Sequence, residues 1–179
     1  MIKKLALIIG FIICLSSCGK DYVYRIEGEL SNLEDQTVYA VFEKDNYKVV
    51  DTVACTKPGQ FQIDQNEAGF HCVTIFFADK EHWVTAYLEP GETVKITGDA
   101  NSPLLLQVKG GRTNDKLTAF KKKIAPLLTE LTNLSNSLNS KDLNDTIEET
   151  DIAARLANVN MQLSEAAIRY VKANPNEEA

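Results

Sequence analysis

The apolar pattern of this chain changes period once, at Gly110-Gly111, and that switch limits the folds open to it. From Tyr22 to Val108 the period is two. "YRIEGEL" alternates, "TVYAVFE" and "YKVVDTVAC" are rich in β-branched and aromatic residues, and "FHCVTIFF" is apolar at both parities, as a central strand would be. Turn chemistry lies between these runs: Asp45-Asn46 separates two of them. Lys57-Pro58-Gly59-Gln60 and Glu89-Pro90-Gly91-Glu92 place Pro where φ near −65° is wanted and Gly where φ must be positive, the pattern of a type II turn. About eight strands follow, near 22–30, 36–43, 47–55, 60–64, 68–77, 83–88, 93–97 and 104–108. Short strands at that spacing read as an all-β antiparallel sandwich over residues 22–111.

After the glycine pair the period becomes helical. Leu117, Phe120, Ile124, Leu127, Leu131, Leu134 and Leu138 step by three and four, as do Ile152, Leu156, Val159, Leu163, Ala166 and Tyr170. Two amphipathic helices, a helical hairpin over 112–173, are predicted, with a polar tail at 174–179. Thr113 or Asn114 can cap the first helix and "NSLNSKDLND" forms the break. Pro126 lacks a backbone donor, so the first helix should kink there or start just before it.

The N-terminus reports location. The apolar run Leu5–Leu15 would reach only about 16 Å as a helix, against the roughly 30 Å of a bilayer core. Lys3 and Lys4 precede it, and Leu15-Ser16-Ser17-Cys18 follows, the parts of a secretory signal ending in a cysteine. The tetrapeptide resembles the bacterial lipobox. That likeness implies cleavage of residues 1–17, lipid attachment at Cys18, a short tether at 18–21, and a body in the periplasm on the inner or outer membrane or at the cell surface. Two acyl chains hold a protein at a membrane where one does not. An ordinary secretory cut that leaves Cys18 as a thiol is the alternative.

Charge narrows the partners. The formal net charge is −6, and it becomes more acidic by two once Lys3 and Lys4 leave. Phosphate backbones are repelled by such a body, and no basic stripe with interleaved aromatics occurs, so nucleic acid is not an expected partner. Cys55 and Cys72 could pair in an oxidising compartment or stand as small buried thiols, and spacing does not decide between them. His71 and His82 lie eleven apart without clustered ligands, so neither a metal nor another cofactor is expected. His71, alternating in a strand, reads as a packed ring, and His82, beside a turn, as a solvated one. Phe76, Phe77, Trp83 and Tyr87 flank the polar "ADKEH" turn; they either fill the core or present rings to a small ligand or glycan. Gly110-Gly111 lacks the spacing of a phosphate-binding turn and reads as a chain reversal.

"YRIEGELSNLEDQTVYA", "VVDTVACTKPGQFQI", "YLEPGETVKITGD" and "VKGGRTNDKLTAF", in that order, resemble the domain of unknown function that precedes the thioredoxin-like domain in lipid-anchored TlpA/AhpC-type thiol-disulfide oxidoreductases of Gram-negative bacteria. The resemblance covers nearly all of the chain after Cys18, with "ANPN" at 173–176 similar to the lead-in to the thioredoxin fold. It implies a β-sandwich and an accessory role. In that family a Cys-x-x-Cys in the later domain carries the redox chemistry. This chain reaches Ala179 without that motif, so no catalytic residue carries over and the expected function is a non-enzymatic interaction module, partnered by the membrane and by an envelope protein or a following thioredoxin-like domain. Binding of a small ligand or glycan is the other expectation.

Overall fold

A computed structural model of the chain describes residues 23–33, 37–77, 81–139 and 146–175. Eight strands precede three helices: β1 (Tyr24–Ser31), β2 (Thr37–Lys44), β3 (Tyr47–Ala54), β4 (Gln60–Gln65), β5 (Cys72–Phe76), β6 (Trp83–Tyr87), β7 (Thr93–Asp99), β8 (Gln107–Lys109), α1 (Arg112–Lys123), α2 (Ala125–Asn139) and α3 (Thr146–Ala173). A single 3₁₀ turn, Pro103–Leu105, occupies the start of the run expected to be the last strand. The strands form two four-stranded sheets, in the orders β4-β1-β7-β8 and β3-β2-β5-β6.

The second sheet is wholly antiparallel. The first is mixed, because β1 and β7 run parallel from the pair Arg25 and Thr93 to Ser31 and Asp99. Chain path explains this departure from the antiparallel expectation. β6 delivers the chain to the end of the molecule where β1 begins, the Pro90-Gly91 turn crosses there with Gly91 N–H donating to Val23 C=O at 2.8 Å, and β7 has only the direction of β1 left to take.

Between the sheets lies one core. Inward positions recur every second residue: Tyr24, Ile26 and Leu30 on β1, Val38, Ala40 and Phe42 on β2, Val73 and Ile75 on β5, Val94 and Ile96 on β7. Burying each such aliphatic or aromatic side chain contributes roughly 1.5–3 kcal/mol. Gly28 interrupts the inward series of β1, and its cross-strand partner Phe61 lays its ring over the gap, 2.2 Å from where a Cβ would stand. Gly59 has φ +73°, as the type II turn predicts.

A sandwich leaves seams where its sheets end, and β6 and β8 are the edge strands on one side. Helix α1 closes that seam with two polar side chains one turn apart. Asn114, 2 % exposed, meets the edge of β6: its Oδ1 accepts from Tyr87 N–H at 2.9 Å and its Nδ2 donates to Tyr87 C=O at 2.7 Å. Thr118, 5 % exposed, meets the edge of β8: its hydroxyl donates to Val108 C=O at 2.5 Å and accepts from Val108 N–H at 3.1 Å. Each side chain supplies the donor and acceptor that a further strand would have supplied. The expected capping role of Thr113 or Asn114 is therefore corrected. Gly111 stands at the N-cap, and Asn114 spends its amide on β6 and on Gly110 C=O.

The long first helix of the sequence reading is two helices. The break falls at Ile124, and Pro126 sits as the second residue of α2, where its missing donor costs nothing. α2 and α3 pack as the expected hairpin around Leu134, Ile152 and Val159, a second, smaller core. α3 then runs past α2, and its Tyr170 ring packs on Phe120 of α1 at 4.6 Å.

Removing either half of the α1 seal strands a buried backbone N–H and C=O. Asn114→Ala and Thr118→Val are each expected to lower unfolding free energy by about 1–3 kcal/mol in urea titrations, while Lys122→Ala on the exposed side of α1 leaves the midpoint unchanged.

Candidate functional site

The two outward faces of the sandwich differ in chemistry. On the β4-β1-β7-β8 sheet the outward residues are Asp64, Arg25 and Thr93 in one row, Gln62, Glu27, Lys95 and Lys109 in the next, and Gln60, Glu29, Thr97 and Gln107 in the third. All are polar. The Arg25 guanidinium grips Asp64 with two bonds of 2.7 Å and holds its carboxyl below the usual carboxylate range.

The outward face of β3-β2-β5-β6 is built from the same period-two rule with different residues. Register aligns Thr52, Tyr39, Phe76 and Trp83 across the four strands, then Val50, Val41, Thr74 and Thr85, then Lys48, Glu43, Cys72 and Tyr87. Trp83 is 53 % exposed, Tyr87 38 % and Val50 65 %. The Trp83 ring leans on Phe76 with centroids 6.1 Å apart and planes at 40°. Thr74 and Thr85 share a hydroxyl hydrogen bond of 3.2 Å, and Lys48 Nζ meets Glu43 Oε1 at 2.5 Å.

These placements divide the four aromatics that the sequence left undecided. Phe77 is core, at 3 % exposure, whereas Phe76, Trp83 and Tyr87 face outward because β5 and β6 alternate and the register sets Phe76 opposite Trp83, on the same face as Tyr87. The sequence reading passed over Tyr39, Val41 and Val50. The signal for Tyr39 and Val41 was present in "TVYAVFE", which carries apolar residues at both parities although β2 has solvent on one side, and that for Val50 in the paired valines of "YKVVDTVAC".

The histidine expectations are reversed. His71 precedes β5, is exposed, and its Nε2 lies 2.7 Å from Asp45 Oδ1, while His82 is half-buried. Nearby, Lys44 bonds Glu67 at 2.6 Å and lies over the Phe70 ring, and the Tyr47 hydroxyl also donates to the Glu67 carboxylate. The ammonium keeps the Glu67 carboxyl below its ordinary range. Among the described residues no three His, Cys, Asp or Glu side chains gather as a metal site.

Neither Cys55 nor Cys72 is in a disulfide, which corrects the pairing considered from the sequence. The register shows why. Cys72 stands opposite Glu43 on β2, whereas Cys55 follows Ala54, which stands opposite Thr37. Six residues of extended β2 separate those positions by about 20 Å, far beyond the reach of an S–S bond. Burial pushes both thiols up, and the Glu43 carboxylate, 3.6 Å from the Cys72 sulfur, pushes Cys72 further in that direction. Lys48 pulls Cys72 the other way but is outweighed, so neither thiol has the lowered value that makes a thiolate at neutral pH. Cys18 lies outside the described residues, as do residues 78–80 of the "ADKEH" segment. Among the described residues no helix is long and apolar enough to cross a membrane.

Residues 24–117 match the family model of a domain of unknown function, DUF4369, over just more than half of the chain. The chain belongs to this family. The DUF4369 match begins at the first residue of β1, takes in all eight strands and ends within α1, past Asn114 and before Thr118. Both outward faces thus lie inside the DUF4369 region. No curated protein and no solved structure matches the chain significantly.

At a pH just below the ordinary thiol value of about 8.5, iodoacetamide should label Cys55 and Cys72 at least tenfold more slowly in the native protein than in the denatured chain. Because the folded values are raised, the native rate should climb as pH rises past that value, a trend followed by mass spectrometry.

Proposed function

We propose that this protein is a lipid-anchored module of the bacterial cell envelope that binds and does not catalyse, with its body in the periplasm. In this reading it corresponds to the accessory part that stands before a thioredoxin-like domain in thiol-disulfide oxidoreductases. The anchor is Cys18, motivated by Lys3 and Lys4, the short apolar run and the Leu15-Ser16-Ser17-Cys18 sequence in register with one another. The observation that carries the binding role is the difference between the outward faces. One is uniformly polar, and the other leaves a tryptophan, a tyrosine and a valine open to solvent on a regular sheet. Isolated apolar surface residues are ordinary, but here half-buried Tyr39, Phe76 and Val41 join them, with Tyr39, Phe76 and Trp83 adjoining across three strands, and a joined apolar surface of that kind marks a face with a partner. The raised thiols support the non-catalytic part of the reading, since a thiol kept protonated is a poor nucleophile.

A second reading, binding of a small ligand or glycan through the aromatics, gains from the same face. Trp83 is available for contact, so its removal should cost binding and leave the fold standing.

Two measurements test the proposal. Cys18→Ala should move the protein from the membrane fraction to the soluble periplasmic fraction, with the wild-type amino terminus carrying acyl mass and lacking residues 1–17. An unmodified amino terminus with those residues attached would overturn the anchor. Dithiol-dependent reduction of insulin by this chain alone would overturn the non-catalytic role.

A further inference from the structure

The outward face of β3-β2-β5-β6 supports a more specific statement, which rests on the reading of this protein as a binding module and is independent of its anchor. We propose that this face binds a neutral carbohydrate chain built of all-equatorial pyranose rings, laid across the strands along the row of Tyr39, Phe76 and Trp83.

Four features select that chemistry. An all-equatorial pyranose presents its axial C–H groups as an apolar patch on each ring face, and such a patch stacks on the electron-rich face of an aromatic ring. Trp83 offers an open ring, steadied from one side by Phe76 at 6.1 Å. A sugar also carries a rim of hydroxyls, and the next row supplies matching groups in Thr74 and Thr85. Their mutual 3.2 Å bond uses one donor and one lone pair, leaving acceptor and donor capacity toward a ligand. The third feature is charge. Glu43 and Lys48 neutralise each other at 2.5 Å and the other two rows hold no ionisable acid or base at neutral pH, so nothing here recognises a phosphate or an acidic peptide.

The fourth is size. Four strands and three rows span about 14 Å in each direction, or roughly 400 Å² with the side-chain margins. A stable protein interface needs about 800 Å² on each partner. A second copy of this chain is therefore a poor fit, whereas a linear glycan needs only a strip one ring wide. The Phe76 and Trp83 planes are tilted by 40°, so a chain that turns along its length suits this row better than a flat one.

Trp83 is the one tryptophan of the chain, so it reports on its own site. Titrating the purified full chain with chitohexaose, a neutral β-1,4-linked all-equatorial oligosaccharide, should give a saturable change in tryptophan emission. Maltohexaose, whose α-linkages curve the chain and bring axial bonds, should give a markedly weaker one. Thr85→Val, which keeps the reporter, should weaken the response. By calorimetry Trp83→Ala should weaken chitohexaose binding about tenfold or more (about 1.4 kcal/mol at 25 °C), with circular dichroism showing the fold retained. No saturable response at millimolar chitohexaose, equal responses to the two sugars, or a concentration-dependent dimer dissolved by Trp83→Ala would each overturn the proposal. Cys18→Ala should titrate like the wild type, so failure here with normal membrane fractionation removes the glycan and leaves the anchored module.

Discussion

Two side chains of α1, Asn114 and Thr118, tie together everything that follows the sandwich. They stand one helical turn apart, and each completes the backbone hydrogen bonding of a different sheet edge: Tyr87 on β6 for the amide, Val108 on β8 for the hydroxyl. An exposed strand edge invites pairing with another chain, and covering it with a helix removes that hazard. Here the cover does more than shield. Because both ends of each bond pair are fixed, the helix is held in one register against both sheet edges. Lys121 extends the series by donating to Leu106 C=O at 2.9 Å, and burial lowers the pKa of its ammonium.

That seal requires a sharp entry into α1. Gly110 has φ +101°, and a Cβ there would stand 2.1 Å from Thr93 C=O, so only glycine lets the chain leave β8 and double back over the seam. The Glu89 carboxylate, which comes from the turn that sends β7 parallel to β1, accepts from Arg112 N–H at 2.9 Å just beyond. The mixed sheet, the glycine pair and the helix start are thus one corner of the molecule. From it α1 leads to the α2–α3 hairpin, which has its own small core and returns to α1 where Tyr170 packs on Phe120.

The division of labour between the sheets follows. The β4-β1-β7-β8 sheet faces solvent with ion pairs and amides, the usual finish for such a surface. Its partner carries an aromatic and hydroxyl face with the Glu43–Lys48 pair and the Cys72 thiol at one end, while Cys55 packs toward the core, and burial raises the pKa of both thiols. A Cys72 sulfur beside a carboxylate is poorly suited to exchange chemistry.

Strand number, turn positions, the switch to helix after Gly110-Gly111 and the stripe Leu134, Ile152, Val159 were legible in the residues alone, because each depends on local conformation or on a short period. The Pro126 discontinuity was legible for the same reason. The parallel β1–β7 pair was not, since it arises from the path of the chain between residues 68 positions apart. Nor was the direction of Trp83, because a tryptophan in an alternating strand satisfies the pattern on either face and only the sheet that packs behind it decides. The distance between Cys55 and Cys72 likewise belongs to the β2 register, and the role of Asn114 to a strand edge that exists only once two sheets have assembled. Sequence by itself determined the strand periods, the turns and the helical stripes; tertiary structure decided which side chains face outward and which backbone edges needed a partner, since burial and long-range pairing are properties of the packed chain and not of any segment.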